Sequence, residues 1–245
     1  MPNDNMVKPT DRIHTQQADA LKRNAEIVAE LGAPGESIEE VRAHADAARA
    51  VWNEGGPEMA VNEARTIPGP FRDVPVQFYR PSADGSLPVF VYLHGGGFRI
   101  GSPLSNDRQL REIAAAWGGA VVSADYLHVP EHTFPDPVDE IVAVVEWLAE
   151  NAGDWGLDTD RIAIGGASAG ASIALGTAIT LRDKGRSDLL KAVASLYGVL
   201  DYNLESDSMK ELGGGDFMLT DEYITMVYDG YVPDAADRSD PRAFA

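Results

Sequence analysis

The chain has 245 residues, 44% of them hydrophobic and 24% charged, which is the composition of an ordinary globular domain with room for a small appendage. Its formal charge of -19, from 39 acidic and 20 basic residues, argues against nucleic acid and anionic membrane surfaces as partners. The lack of cysteine excludes disulfides, thiolate zinc sites and a cysteine nucleophile. No apolar run approaches the ~18 residues of a membrane span. Residues 1–12 have no apolar signal-peptide core, so we expect a cytoplasmic protein.

The first quarter of the chain, residues 1–65, carries helical patterns. Apolar residues recur at helical spacing as far as Leu31, and Gly32 ends the run. Ser37 and Glu40 then form a capping-box pattern at the start of a second helix, with an apolar stripe behind it. We therefore expect residues 1–65 to form a helical cap segment that packs on the rest of the chain.

From about Thr66 the pattern changes to strands that alternate with helices. Asp136 and Pro137 predict a helix N-cap followed by proline at the first helical position. The alternation predicts an α/β fold, with a mostly parallel sheet and helices on both faces, in residues 66–245. The predicted strands are 74–79, 89–93, 120–124, 162–164 and 192–197, and the predicted helices are 110–117, 137–148, 173–181 and 220–228.

A glycine-rich segment, His94-Gly95-Gly96-Gly97-Phe98, directly follows a predicted strand. Consecutive glycines let backbone N–H groups point into a pocket without obstruction by side chains. Gly95, Gly96 and Gly97, together with the N–H of Ala169, are therefore candidates for an oxyanion hole. The alternative is a flexible loop. We interpret His94 as a residue that orients this loop rather than as a catalytic base.

A second short motif, Gly166-Ala167-Ser168-Ala169-Gly170, lies between a predicted strand and a predicted helix. A sharp strand-to-helix turn projects the serine side chain and needs small flanking residues, so Ser168 is a candidate nucleophile. The helix N-terminus adds the positive end of its dipole beneath the serine. A phosphate-binding loop is the alternative, but Ala171 stands where its lysine should be.

A third segment, Asp125 to Pro135, follows the strand predicted at 120–124 and is a polar loop bracketed by prolines. His128, Glu131 and His132 have spacings of three and four that would suit a metal site on a helix. The prolines within the segment argue against a helix there, so we predict no metal site.

The general base that a serine nucleophile requires has no obvious candidate in the sequence. All histidines precede Ser168, whereas the base that serves a serine on such a strand-to-helix turn is expected after the serine. The five histidines are His14, His44, His94, His128 and His132.

Taken together, the three segments resemble those of the hormone-sensitive-lipase-like carboxylesterases, a family of the α/β-hydrolase fold. HGGGF resembles the family's oxyanion motif, and GASAG resembles its nucleophile motif. Asp125 to His132 resembles its DYRLAPEH segment, with departures at Leu127, His128 and Val129. The helices within residues 1–65 would correspond to part of the family's cap over the acyl pocket.

The resemblance implies a serine esterase that forms an acyl-enzyme on Ser168, needs no cofactor and acts on short- to medium-chain acyl esters. It also implies an acid and then a histidine after the serine. Asp201 and Asp240 both precede the acid's expected position, so neither is assigned. The final residues resemble the segment just upstream of that acid.

From this we expect a C-terminally truncated chain that lacks the last two strands of the fold. The strand at 192–197 would then be an exposed apolar edge, which invites pairing. We expect a homo-oligomer or a complementing C-terminal segment to cover it.

Two other functions stay open from the sequence. One is a non-catalytic relative that binds small esters or a protein partner through the hydrolase pocket. The other is an esterase whose base comes from His94, His128 or His132, or from another subunit.

Overall fold

The structure, a computed structural model, describes residues 13–215 and 219–244. Residues 1–12, on which the prediction of no signal peptide rested, lie outside this part. In the described ranges no helix has the length and apolar character needed to cross a bilayer. The helices are α1 (Thr15–Leu31), α2 (Ile38–Ala50), α3 (Asp107–Trp117), α4 (Asp136–Asn151), α5 (Ala169–Asp183), α6 (Asp207–Leu212) and α7 (Asp221–Tyr231). The strands are β1 (Val61–Pro68), β2 (Asp73–Arg80), β3 (Leu87–Leu93), β4 (Ala120–Ala124), β5 (Leu157–Ala167) and β6 (Leu190–Leu196).

One mixed sheet organises these elements, with the strand order β1-β2-β4-β3-β5-β6. β1 pairs antiparallel with β2, and β2 pairs antiparallel with β4. The remaining pairs are parallel. The predicted α/β fold with a mostly parallel sheet is therefore confirmed.

Neighbouring residues of a strand point to opposite sides of the sheet, so both faces carry apolar side chains. Helices cover both faces and bury these side chains. Phe78 of β2 and Val91 of β3 join a large buried cluster that includes residues of α4 and α5. Their neighbours Tyr79 and Tyr92 join a smaller cluster with Leu110 of α3. The core thus forms two layers, one on each side of the sheet.

The register of β3 brings the three sequence motifs together at the carboxyl ends of the parallel strands. Leu93, the last residue of β3, pairs with Ala124 on β4 and with Gly166 on β5. The segments that follow these strands therefore leave the sheet side by side. They are the glycine-rich loop, the loop beginning at Asp125 and the turn that contains Ser168.

The two predicted helices before the sheet are confirmed, with their ends where the local signals place them. Gly32 ends α1 with φ 77°, a conformation that favours glycine. Ser37 Oγ accepts from the Glu40 amide at 3.2 Å, and Glu40 Oε2 accepts from the Ser37 amide at 3.0 Å. The capping box thus forms as predicted.

Two local expectations were wrong. Val61–Pro68 forms strand β1, although residues up to 65 were expected to be helical. This strand lies at the sheet edge and only Ile67 is buried, so its sequence lacks a clear apolar alternation. Asp136 is the first helical residue of α4, and Pro135 occupies the N-cap. The division into a cap segment and a core at residue 65 stays a prediction.

The strand β6 forms the other edge of the sheet, with β5 as its neighbour. Its residues from Lys191 to Leu196 are exposed, and Val193 and Leu196 are each 40% exposed. The predicted exposed apolar edge is therefore present in the described structure. Unpaired backbone groups on such an edge can bind another strand.

A lysine within this edge should reduce self-association, because an edge charge must be desolvated when strands pair. We expect Val193→Lys to lower the concentration-dependent increase in average mass measured by light scattering. Ala64→Lys adds the same charge to an exposed position on β1 and should leave the association unchanged. Equal association of Val193→Lys and the unchanged chain would contradict a role for β6.

Candidate active site

Ser168 occupies the turn between the end of β5 and the start of α5, as the sequence predicts for a nucleophile elbow. Its backbone has φ 52° and ψ -120°, a strained conformation for a residue with a side chain. The Ser168 amide donates to the Leu196 carbonyl oxygen at 2.9 Å, which anchors the turn to β6. Among the described residues, Ser168 Oγ has no hydrogen-bond partner. The hydroxyl is therefore free to meet a ligand.

The glycine-rich loop lies directly against this turn. A Cβ built on Gly95 would lie 3.1 Å from the Ala167 carbonyl oxygen and 3.4 Å from Ser168 Cβ. Gly97 has φ 59°, and a Cβ there would lie 3.0 Å from a methyl carbon of Val227. Close approach to the Ser168 turn favours glycine at position 95, and the positive φ favours glycine at position 97.

Of the residues predicted to form an oxyanion hole, the three glycines line the cavity in front of Ser168 and Ala169 does not. Within the described chain, no acceptor is present for the N–H groups of Gly96, Gly97 and Ala169. Gly95, Gly96 and Gly97 line the same cavity as Ser168. Ala169 begins α5 behind the serine and is not among the residues that line the cavity.

The cavity in front of Ser168 has a volume of about 630 Å³ and mostly apolar walls. Arg49 is the charged residue among its described lining residues. A neighbouring cavity of about 450 Å³ lies between α1, α6 and α7, and Leu219 and Ile224 line both cavities. The apolar lining of the first cavity is contributed by Ile100, Ala167, Tyr197, Val199, Leu200, Leu219, Tyr223, Ile224, Val227 and Tyr228.

Two arginines of α2 attach this helix to the loops of the site. Arg49 donates through Nη2 to the Gly95 carbonyl oxygen at 3.2 Å. Arg42 donates through Nε to the Arg99 carbonyl oxygen at 2.9 Å and forms two hydrogen bonds with Glu131, at 2.8 and 2.7 Å. Neither arginine was predicted from the sequence. Their separation of seven residues, two helical turns, is the signal that places them on one face.

An ion pair between partly exposed Arg72 and buried Glu140 holds the loop that begins at Asp125. Glu140 of α4 is fully buried, and its carboxylate accepts from Arg72 Nε and from the Leu127 amide, both at 2.9 Å. Arg72 also donates through Nη1 to Asp125 Oδ2 at 3.3 Å. Burial raises the pKa of Glu140, while Arg72 opposes the rise. Since loss of Arg72 would leave the buried carboxylate of Glu140 without its cationic partner, this contact helps to fix the loop.

None of the five histidines lines the cavity in front of Ser168. His94 is fully buried, with Nε2 at 3.9 Å from Asp125 Oδ1. His128 is largely buried, and this burial lowers the pKa of its imidazole to about 3. His132 Nδ1 lies 3.0 Å from Asp136 Oδ2. An esterase base from within these residues therefore has no geometric support.

The two aspartates left unassigned from the sequence and the two remaining histidines also lie outside the cavity. Asp240 pairs with Arg242 at 2.6 Å, and neither Asp201 nor Asp240 is a lining residue. His14 accepts from the Gln16 amide, and His44 Nε2 lies 2.8 Å from the Gly32 carbonyl oxygen.

Solved structures that are similar to this chain include esterases. Residues 90–245 match the family described as alpha/beta hydrolase fold. A hyperthermophilic esterase from the archaeon Pyrobaculum calidifontis shares 31% identity, with 92% of this chain and 73% of that one covered and a TM-score of 0.82. An ester hydrolase from the metagenome of Lake Arreo shares 30% identity, with 98% and 75% covered and a TM-score of 0.80. A thermophilic, thermostable carboxylesterase from a metagenomic library shares 29%, with 85% and 71% covered and a TM-score of 0.79.

The chain therefore belongs to the α/β-hydrolase family, in its hormone-sensitive-lipase-like carboxylesterase branch. It is an esterase-like hydrolase by fold and by these similarities.

The contact between Arg42 and Glu131 predicts a pH-dependent anchor for α2. Hydrogen bonding to Arg42 lowers the pKa of Glu131 from 4.5 to about 2. A lowered folded-state pKa gives stability that is fully present above pH 4.5 and is lost as the pH falls through about 2. Because Glu131 is 45% exposed, we expect Glu131→Gln to cost about 1 kcal/mol or less at pH 7.

Urea unfolding of the unchanged chain and of Glu131→Gln at pH 7, 4 and 3 measures the difference between their free energies of unfolding. This difference should shrink steadily towards acid pH, because protonated Glu131 and glutamine are equally uncharged. Glu150→Gln, an exposed position at the end of α4, should show no such trend. A difference that stays constant with pH would contradict the anchor.

Proposed function

We propose that this chain is a serine carboxylesterase that hydrolyses short- to medium-chain acyl esters through an acyl-enzyme on Ser168. One observation carries the proposal. A serine with an unpaired hydroxyl stands on a strained turn, against a loop of three glycines, at the wall of an apolar cavity. The similarity to esterases supports the same class of reaction.

In the proposed reaction, Ser168 Oγ attacks the carbonyl carbon of the ester and gives up its proton to a general base, which later passes that proton to the leaving alcohol. The tetrahedral intermediate places its negative oxygen near the amide groups of Gly96, Gly97 and Ala169, which would donate hydrogen bonds to it. The intermediate collapses, the C–O bond to the alcohol breaks, and the alcohol leaves with a proton. Water then attacks the acyl-enzyme and releases the acid and free Ser168.

The proposal places the acid and the base outside the described residues. The histidines described above contact other groups, and no histidine lines the cavity. The exposed edge of β6 lies beside the turn, since the Ser168 amide bonds to Leu196 on that strand. A second copy or a complementing segment that pairs with β6 would thus be placed near Ser168.

The cavity supports an acyl group of limited length. Its apolar walls suit a hydrocarbon chain, and its volume of about 630 Å³ lies within the usual range of small-molecule pockets. Ile224 stands at the boundary with the neighbouring cavity and would limit how far the chain extends.

A second candidate function is a non-catalytic protein that binds small esters in this cavity. It is favoured by the lack of a histidine among the described lining residues, because loss of the base removes most of the rate of a serine hydrolase.

Covalent labelling tests Ser168 as the nucleophile. The Lake Arreo relative is known in complex with a phosphonate derivative, so a fluorophosphonate is a suitable probe. We expect one phosphonyl group per chain by intact mass. Ser168→Ala should abolish labelling and lower p-nitrophenyl butanoate turnover by at least about 100-fold. Ser195→Ala, on neighbouring β6, should keep both. Ester binding with turnover equal to that of Ser168→Ala would instead indicate the non-catalytic protein.

The length of the acyl group can be read from a series of p-nitrophenyl esters. Each added methylene that the cavity buries contributes about 0.8 kcal/mol, or roughly fourfold in kcat/KM. We expect this gain to stop at medium chain lengths. Ile224→Trp should shorten the preferred chain while acetate hydrolysis is kept. Acyl binding in this cavity would be contradicted if kcat/KM did not rise with chain length from the first ester onward. It would also be contradicted if the preferred chain length were unchanged in Ile224→Trp.

A further inference from the structure

Two histidine nitrogens are buried without a partner on the far side of the glycine-rich loop. Nε2 of His94 and Nε2 of His128 are each inaccessible to solvent and have no hydrogen-bond partner among the described residues. His94 itself is fully buried. Buried polar atoms are nearly always satisfied, so two such atoms in one place indicate a missing ligand or water.

The surroundings of His94 cannot be satisfied by a neutral imidazole alone. Nδ1 lies 3.1 Å from the Gly95 carbonyl oxygen, and Nε2 lies 3.9 Å from Asp125 Oδ1. Both oxygens only accept hydrogen bonds, and a neutral imidazole carries a single N–H. The bond to Gly95 places the proton on Nδ1. The lone pair of Nε2 then faces a carboxylate, which is unfavourable unless Nε2 takes up a proton or a cation stands between the two groups.

Asp125 contributes a carboxylate oxygen to the same place. Its Oδ2 is held by Arg72 at 3.3 Å, which leaves Oδ1 directed towards His94. The nearby charges of Arg72 and Glu140 offset each other, as do those of Arg42 and Glu131. The charge of Asp125 therefore remains to attract a cation.

We propose that His94, Asp125 and His128 bind one Zn²⁺ ion. Their donor atoms lie within 4.8 Å of one another. In a tetrahedral zinc site with bonds of about 2.0–2.1 Å, neighbouring donors are about 3.3–3.5 Å apart, so shifts of about 1 Å or less close the site. Two imidazoles and a carboxylate are a donor set that zinc accepts, and the fourth position goes to water.

Two outer contacts match what metal-binding side chains usually have. The hydrogen bond from His94 Nδ1–H to a backbone carbonyl fixes the ring so that Nε2 faces the site, and Arg72 orients the carboxylate of Asp125. His128 is also one of the positions at which this segment departs from the family pattern. The proposed zinc site is thus a feature of this chain rather than of the family.

The zinc site would join the glycine-rich loop to the segment after β4. His94 begins the glycine-rich loop, and Asp125 and His128 belong to the segment after β4. The site is separate from Ser168 and its cavity, so it stands or falls independently of the proposed esterase function. A bound ion would stabilise the loop at Gly95, which the Arg49 contact also holds.

A metal titration on the untagged full chain tests the proposal. After treatment with EDTA, the protein is titrated with ZnCl₂ in competition with a chromogenic chelator. We expect one tight equivalent per chain and a rise in Tm. His128→Leu, which installs the residue of the family segment, should weaken this binding more than about 100-fold, since loss of an outer contact alone costs about 10–100-fold. His132→Asn, four residues away and bound to Asp136, should bind as the unchanged chain does.

A second readout does not depend on any variant folding. Diffraction data at the zinc absorption edge should show one anomalous peak between His94, Asp125 and His128. No tight equivalent, equal binding by His128→Leu, or a peak only at surface histidines would overturn the proposal. Fluorophosphonate labelling of Ser168 reports separately on the esterase function.

Discussion

The parallel register of β3 against its two neighbours is the constraint on which the site depends. Leu93 is paired with Ala124 on one side and with Gly166 on the other. Because of this pairing, three segments leave the sheet side by side at the carboxyl ends of the parallel strands. They are the glycine-rich loop, the Asp125 segment and the Ser168 turn. A shift by one residue would turn every side chain of β3 to the opposite face. The two layers of the core therefore fix the site together with the fold.

Charged contacts hold the loops that the sheet brings together. Arg49 bonds to the carbonyl of Gly95, and Arg42 bonds to Glu131 and to the carbonyl of Arg99, which follows the glycine-rich loop. On the other side, Arg72 joins buried Glu140 to Asp125. Loops are usually the mobile part of a site. Here three arginines constrain them through hydrogen bonds to the carbonyls of Gly95 and Arg99 and to the carboxylate of Asp125.

The candidate catalytic residues and the proposed zinc ligands occupy opposite sides of one loop. Gly95 to Gly97 face the cavity with Ser168, whereas His94 faces Asp125 and His128. His94 begins the glycine-rich loop, yet it is fully buried and does not line the cavity in front of Ser168. Its chemistry belongs to the segment after β4, where its Nε2 has no described partner.

The sequence by itself determined the local elements, because their causes are local. The capping box at Ser37, the small residues around Ser168 and the glycine run at Gly95 each predict their turn from neighbouring residues. It also indicated the α/β class through the alternation of strands and helices. It failed at β1, whose edge position leaves only Ile67 buried, so the strand depends on pairing with β2 rather than on its own pattern.

Only the tertiary structure decided which distant residues meet. The contacts of Arg42 with Glu131 and of Arg72 with Glu140 join positions 89 and 68 residues apart, and no spacing rule reaches so far. The meeting of His94 with Asp125 and His128 follows from strand register, which the sequence does not state. Within the segment after β4, Arg42 holds Glu131 and Asp136 lies beside His132, and spacing along the sequence indicates only the second of these contacts.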